Sequence, residues 1–141
     1  MIDLGRNFSW DKNVDKTLWA DLQNHDITKI HRFTALDLSM MAMALGFKYR
    51  SPKVFVKSAI GSGGDIRGEN DTKKQKAVAS VLSIAVHHTG SLDILEEDYT
   101  KVRRIGEEYA NGGLSYLHDI FMKSTSDKIV IQKLLKLIKD S

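Results

Sequence analysis

The stretch Phe33–Phe47, "FTALDLSMMAMALGF", decides how the rest of the chain is read. Leu36, Leu38 and Met40 alternate as strand residues would, but Ala, Leu and Met are strong helix formers and there is no β-branched run. The composition predicts a helix from Thr34 to Leu45. It is apolar nearly all round apart from Asp37 and Ser39, which marks a central, buried helix. Gly46 stands where such a helix needs its stop.

On the N-terminal side, "DKNVDKTLWADLQ" (11–23) places Val14, Leu18 and Leu22 at helical spacing beside Trp19, with Asp11 as a candidate cap. On the other side, about 25 residues after Gly46 carry no helical period, a long gap for a compact domain. Within it "KVFVK" (53–57) suits a short strand or hairpin, and Pro52 an edge or turn. From Thr72 the helical period returns through Val78, Val81, Leu82 and Ala85 and ends at Thr89-Gly90. Ser91 can cap the short turn "SLDILEED". A helix through Tyr99, Val102, Ile105 and Tyr109 then runs into Asn111-Gly112-Gly113, which reads as a stop, and Leu114, Leu117, Ile120 and Phe121 begin another. A last helix follows Ser126 or Asp127, with Ile131, Leu134, Leu135 and Ile138 on one face and Lys128, Gln132, Lys136 and Lys139 largely opposite. The expected architecture is an all-α, single-domain bundle of about six helices over residues 1–141, with a glycine-rich segment (58–70) inside it.

There is no cysteine, which removes disulfides, thiolate metal sites and thiol nucleophiles and points to the cytoplasm. No apolar run approaches the roughly 18 residues of a membrane span, and the first residues lack a leader's basic and apolar regions. The net charge is only +3, but its distribution is uneven. Lys48, Arg50, Lys53, Lys57, Arg67, Lys73, Lys74 and Lys76 face Asp65, Glu69 and Asp71, a local balance of +5. Phe47, Tyr49 and Phe55 interleave with the first of these cations, a pattern that suits phosphate contact and base stacking.

The glycines of "GSGGDIRGEN" (61–70) lack the Lys-Ser/Thr ending and preceding buried strand of a phosphate-binding loop, and they miss G-x-G-x-x-G spacing. The segment reads as a tether, or as a loop that orders on DNA or a protein partner. His87 and His88 diverge by about 100° on a helix and cannot chelate as an i, i+4 pair would. His25, His31 and His118 lack metal-binding companions, so neither metal nor cofactor is expected. Arg103 with Glu107 and Arg104 with Glu108 are i, i+4 pairs that read as surface salt bridges. Carboxylate chemistry at Glu107, Glu108 and Tyr109 would need a titratable partner from a second element, and no serine-nucleophile elbow is present. A non-enzymatic protein is expected, with a small enzyme using that region as the alternative.

Two stretches, "FTALDLSMMAMALGFKYRSPK" and "IGEEYANGGLSYL", taken together resemble the small DNA phosphorothioation-associated proteins of Dnd-type clusters. In that family an apolar helix ends in an A-x-x-L-G turn followed by basic residues, and a later helix ends in EEYA-x-x-G. The matching positions are Ala44, Leu45, Gly46, Phe47, Lys48 and Arg50, then Glu107, Glu108, Tyr109, Ala110, Asn111, Gly112 and Gly113. The resemblance implies an accessory role in a prokaryotic DNA modification-linked restriction or antiphage defence system, without a catalytic site. DNA, a larger protein subunit, or both are the expected partners, through the Lys48–Lys76 region. A protein–protein adaptor without DNA contact is the alternative.

Overall fold

The computed structural model describes Leu4, Phe8, residues 10–11, 16–54, 58–59, Gly64, Ile66, 69–96, 99–123, Gln132 and Lys136. The five α-helices among them are α1 (Lys16–Asn24), α2 (Asp26–Ile30), α3 (Ala35–Lys48), α4 (Asp71–Thr89) and α5 (Tyr99–Lys123), with a 3-10 turn at Leu92–Glu96. The chain is all-α. The one extended pairing among the described residues is two residues long, β1 (Trp10–Asp11) antiparallel to β2 (Ser58–Ala59), with Trp10 opposite Ala59.

Local chemistry sets several boundaries, of which the Gly90 stop and the Ser91 cap are read from the sequence. Thr34 and Asp37 form a reciprocal capping box that opens α3: the Asp37 N–H donates to Thr34 Oγ1 (3.1 Å) and the Thr34 N–H to Asp37 Oδ2 (2.9 Å). Asn70 caps α4 by accepting from the Lys73 N–H (3.0 Å), and Gly90 closes it in the left-handed region at φ 72°. The Asp93 N–H donates to Ser91 Oγ (3.1 Å) at the start of the 3-10 turn.

Other boundaries differ. Asp11 does not cap α1; it lies in β1, and α1 begins at Lys16. His25 caps the separate short α2 instead, its Nδ1 accepting from the Ile27 N–H (3.2 Å). Lys53 and Val54 of "KVFVK" are not strand residues, and 55–57 lie outside the described residues. The last helix is described only at Gln132 and Lys136, which are helical.

The larger corrections concern glycines. α3 does not stop at Gly46 but runs to Lys48. It ends where the Ser51 N–H reaches the Gly46 carbonyl (2.9 Å) and the Arg50 N–H the Phe47 carbonyl (3.1 Å). This is a Schellman closure with Arg50, at φ 51°, in the left-handed position usually given to glycine. Nor do Asn111-Gly112-Gly113 end a helix: α5 continues through them as one rod of 25 residues, about 37 Å long. Both glycine sites serve close approach. A Cβ at Gly46 would overlap the Tyr109 carbonyl oxygen, and one at Gly113 would overlap that of Ala42, so α3 and α5 cross backbone to backbone.

α5 therefore shares the central place expected of α3 alone. Its first half packs on α4 through Gly106 and Val81, its middle on α3, and its last turns on α1, with Phe121 in a T-shaped contact with His25. Leu22, Leu38, Val81, Ala85, Val102, Leu117 and Phe121 are wholly enclosed. Part of the glycine-rich segment is also tied in. Ile66 is buried, Gly64 lies against Leu36, and the Gly64 carbonyl accepts from the Phe8 N–H (2.8 Å), so these two positions are core contacts rather than a tether.

Candidate nucleic-acid interface

The two sequence blocks that stand apart in the chain interlock in space. Gly46 and Gly113 form the crossing, and Phe47 sits edge-on to the Tyr109 ring at 5.6 Å. The segment after α3 then runs along α5. The Lys53 N–H donates to the Glu108 carbonyl (2.9 Å), Asn111 Nδ2 donates to the Lys53 carbonyl (3.1 Å), and the Ser51 carbonyl lies where a Cβ of Gly112 would be. Thus this stretch of α5 is a backbone seat: Gly112, without side-chain bulk, the Asn111 amide and the Glu108 carbonyl hold residues 51–53 in place. Leu45, Tyr109 and Ala110 complete the buried side of this seam, while Ala44 is exposed beside a groove.

The seat carries cations. Lys48 is half-buried at the end of α3; Arg50 and Lys53 are exposed. The Arg50 guanidinium lies over the Phe47 ring, 4.0 Å from its centre, a cation–π contact that steadies its aim. Tyr49, beside it, turns the other way and stacks on Tyr116 of α5 at 4.5 Å and an interplanar angle of 25°. Both tyrosines remain exposed, 44% and 37%.

The other cations singled out in the sequence are elsewhere. α3 and α4 run in the same direction, since Asp37 meets Lys73 near their starts and Phe47 meets His87 near their ends. Lys73 is therefore separated from Lys48 by about 16 Å along α3, eleven residues at 1.5 Å each, and Lys76 by about 12 Å. Lys73 is held by Asp37 (3.0 Å) and Glu69 (3.9 Å), which offset its charge. Lys74 is half-buried and Lys76 exposed. Lys57 and Arg67 lie outside the described residues. Between α3 and α4 is an open groove of about 490 Å³ lined mainly by Met40, Met43, Ala44, Phe47 and Ile84.

Glu107 is not a surface residue. It is wholly buried, with the Nε atoms of Arg103 and Arg104 each 3.7 Å from its Oε1. Arg104 thus reaches Glu107 at i, i+3, and the cluster is a buried brace rather than the exposed ladder the spacing suggested. Arg103 also donates to the Leu4 carbonyl (2.7 Å), which ties the N-terminal segment to α5. Glu108, its neighbour, faces outward and is half-buried. The helix separates the two carboxylates, as adjacent positions must.

The histidines serve local contacts. His87 and His88 occupy the last turn of α4, His87 Nδ1 2.8 Å from the Ser83 carbonyl oxygen and His88 Nδ1 2.8 Å from the Tyr109 hydroxyl. His118 Nε2 is 2.9 Å from Asp21 Oδ2, a link between α5 and α1 that no sequence spacing announces. Among the described residues no group of three or more His, Cys, Asp or Glu side chains is placed to hold a metal ion. No helix among them is long and apolar enough to cross a membrane.

Fold and site together define a small all-α protein whose two central helices cross on glycines and present cations and paired tyrosines on one exposed end. The chain belongs to the family of DNA sulphur modification system-associated protein 4, whose pattern matches residues 14–140. The match bears out the resemblance carried by the two interlocking stretches and extends it to most of the chain. Association with a DNA sulphur modification system accords with an accessory role. No curated protein and no solved structure matches the chain.

Proposed function

We propose that this chain is a non-enzymatic accessory component of a prokaryotic DNA modification-linked defence system and contacts the DNA phosphate backbone through Lys48, Arg50 and Lys53. The observation that carries the reading is the seating of these three cations. The Schellman closure fixes one end of the segment and the Glu108 and Asn111 hydrogen bonds fix the other, so the charges are presented with little ordering left to do on binding. The burial of Glu107 under Arg103 and Arg104 supports the non-enzymatic part, because it separates that carboxylate from Glu108 and gives it a structural task.

Three phosphate contacts correspond to a log–log salt slope of about −2.7, so affinity for duplex DNA should fall about 40-fold between 50 and 200 mM salt. The Lys48→Ala, Arg50→Ala, Lys53→Ala triple variant should lose most of the binding and flatten the slope. Lys73→Ala, which removes a cation already offset by Asp37, should bind as the parent does. Salt-insensitive binding, or a triple variant indistinguishable from the parent, would rule the reading out. The α3/α4 groove favours a second reading, a docking site for an apolar side chain of a larger subunit. Retention of that subunit by the triple variant, with no DNA contact by either protein form, would support it instead.

A further inference from the structure

We infer that Tyr49 and Tyr116 form a stacking platform for an unpaired DNA base, so that the chain prefers single-stranded or locally opened DNA to intact duplex. The inference rests on the phosphate-contact reading above and adds to it a ligand geometry.

The two rings come from different elements. Tyr49 is the residue at which α3 closes and Tyr116 lies one turn beyond Gly112 on α5, yet they stack at 4.5 Å and 25°. Phe47, two residues before Tyr49, is used inward against Tyr109 and His87, whereas the tyrosine pair is built on the surface and stays 44% and 37% exposed. A pre-stacked pair has its conformational freedom already reduced, which favours a third planar partner.

Charge is arranged around the platform. Left-handed Arg50 turns the chain directly after Tyr49, and its guanidinium lies back over Phe47. Lys53 is pinned at Glu108, two turns before Tyr116, which places it about 12 Å away along α5. Asp119, three residues beyond Tyr116 on α5, is paired with Lys123 (3.6 Å). This end therefore offers a strand both exposed cations and an exposed aromatic pair. Cations flanking an aromatic stack are the pattern by which proteins hold single strands without reading sequence. In a duplex each base face is already covered by its neighbours, so the platform can act only on a base that has left the stack.

The test is fluorescence anisotropy with three labelled ligands of equal length: a single strand, its duplex, and a single strand of abasic sugars that keeps the phosphates but lacks bases. The parent should bind the base-bearing single strand about tenfold more tightly than the other two. Tyr49→Ala and Tyr116→Ala should each remove about five- to tenfold of single-strand affinity and leave duplex and abasic affinity unchanged. Tyr49→Phe and Tyr116→Phe, which keep the ring, should retain the preference and control for folding. Equal, salt-dependent binding of all three ligands, unaffected by the alanine variants, would overturn the platform while leaving the phosphate contacts standing. Failure of the parent to bind any of the three would remove the phosphate-contact reading and this inference with it.

Discussion

Gly113→Ala sets two physical rules against each other. Gly113 lies inside α5, where replacing glycine by alanine ordinarily stabilises a helix by about 1 kcal/mol. Here the added Cβ would overlap the Ala42 carbonyl oxygen and stand 2.6 Å from the Gly46 nitrogen. Both obstacles are backbone atoms of α3, so no side-chain rotation relieves them and the two helices must move apart. Overpacking costs about 1–3 kcal/mol in ordinary cores, and a backbone obstacle puts this site near 3. Subtracting the helix-propensity gain leaves a net loss of about 2 kcal/mol. For a chain of this size about 1 kcal/mol corresponds to roughly 4 °C, so thermal unfolding followed by circular dichroism should shift down by about 8 °C. Gly106→Ala is the matched control on the same helix. Its Cβ would meet Met43 Sδ and Val81 Cγ1, both at 3.2 Å, and the flexible methionine can yield, so the midpoint should move little. A Gly113→Ala protein that melts higher than its parent, or together with Gly106→Ala, would refute the backbone-to-backbone crossing.

Two further substitutions probe the brace and the turn. Glu107→Gln keeps shape but removes the buried charge between Arg103 and Arg104. Breaking a buried pair costs about 3–5 kcal/mol when the surviving charge is trapped, but these arginines retain some solvent access, so we expect about 2 kcal/mol in urea unfolding. A change under about 0.5 kcal/mol, typical of surface substitutions, would mean that the carboxylate is solvated and the brace is wrong. Arg50→Gly relieves a left-handed residue, worth about 1 kcal/mol, and loses a cation–π contact worth about 0.5–1 kcal/mol. Stability should stay nearly constant while DNA affinity drops several-fold; DNA affinity equal to the parent's would show that Arg50 does not serve a ligand.

The features legible in the sequence are those whose cause lies within one helical turn. Gly90 and Ser91 act on backbone groups a few residues away, and each does in the structure what its spacing indicates; the Thr34–Asp37 box and the Asn70 cap are equally local but went unread. Gly46 and Gly112-Gly113 misled because glycine has two uses. As a local signal it stops helices; as a tertiary device it lets backbones touch, and only the partner helix reveals which use applies. The same limit explains the charges. The Arg103–Glu107 spacing was visible but its burial was not, and Lys73 looks like an available cation until Asp37, thirty-six residues earlier, is found beside it. Tyr116 carried no signal at all, since its meaning depends on Tyr49 arriving from α3. The glycine and tyrosine misreadings share one cause, the α3–α5 crossing. The glycines that disguised themselves as helix ends bring the chain after α3 onto α5, and that placement seats Lys53 and sets Tyr49 against Tyr116. An alanine at Gly112, which would meet the Ser51 carbonyl rather than a helix, should therefore disturb the cation seat more than the fold.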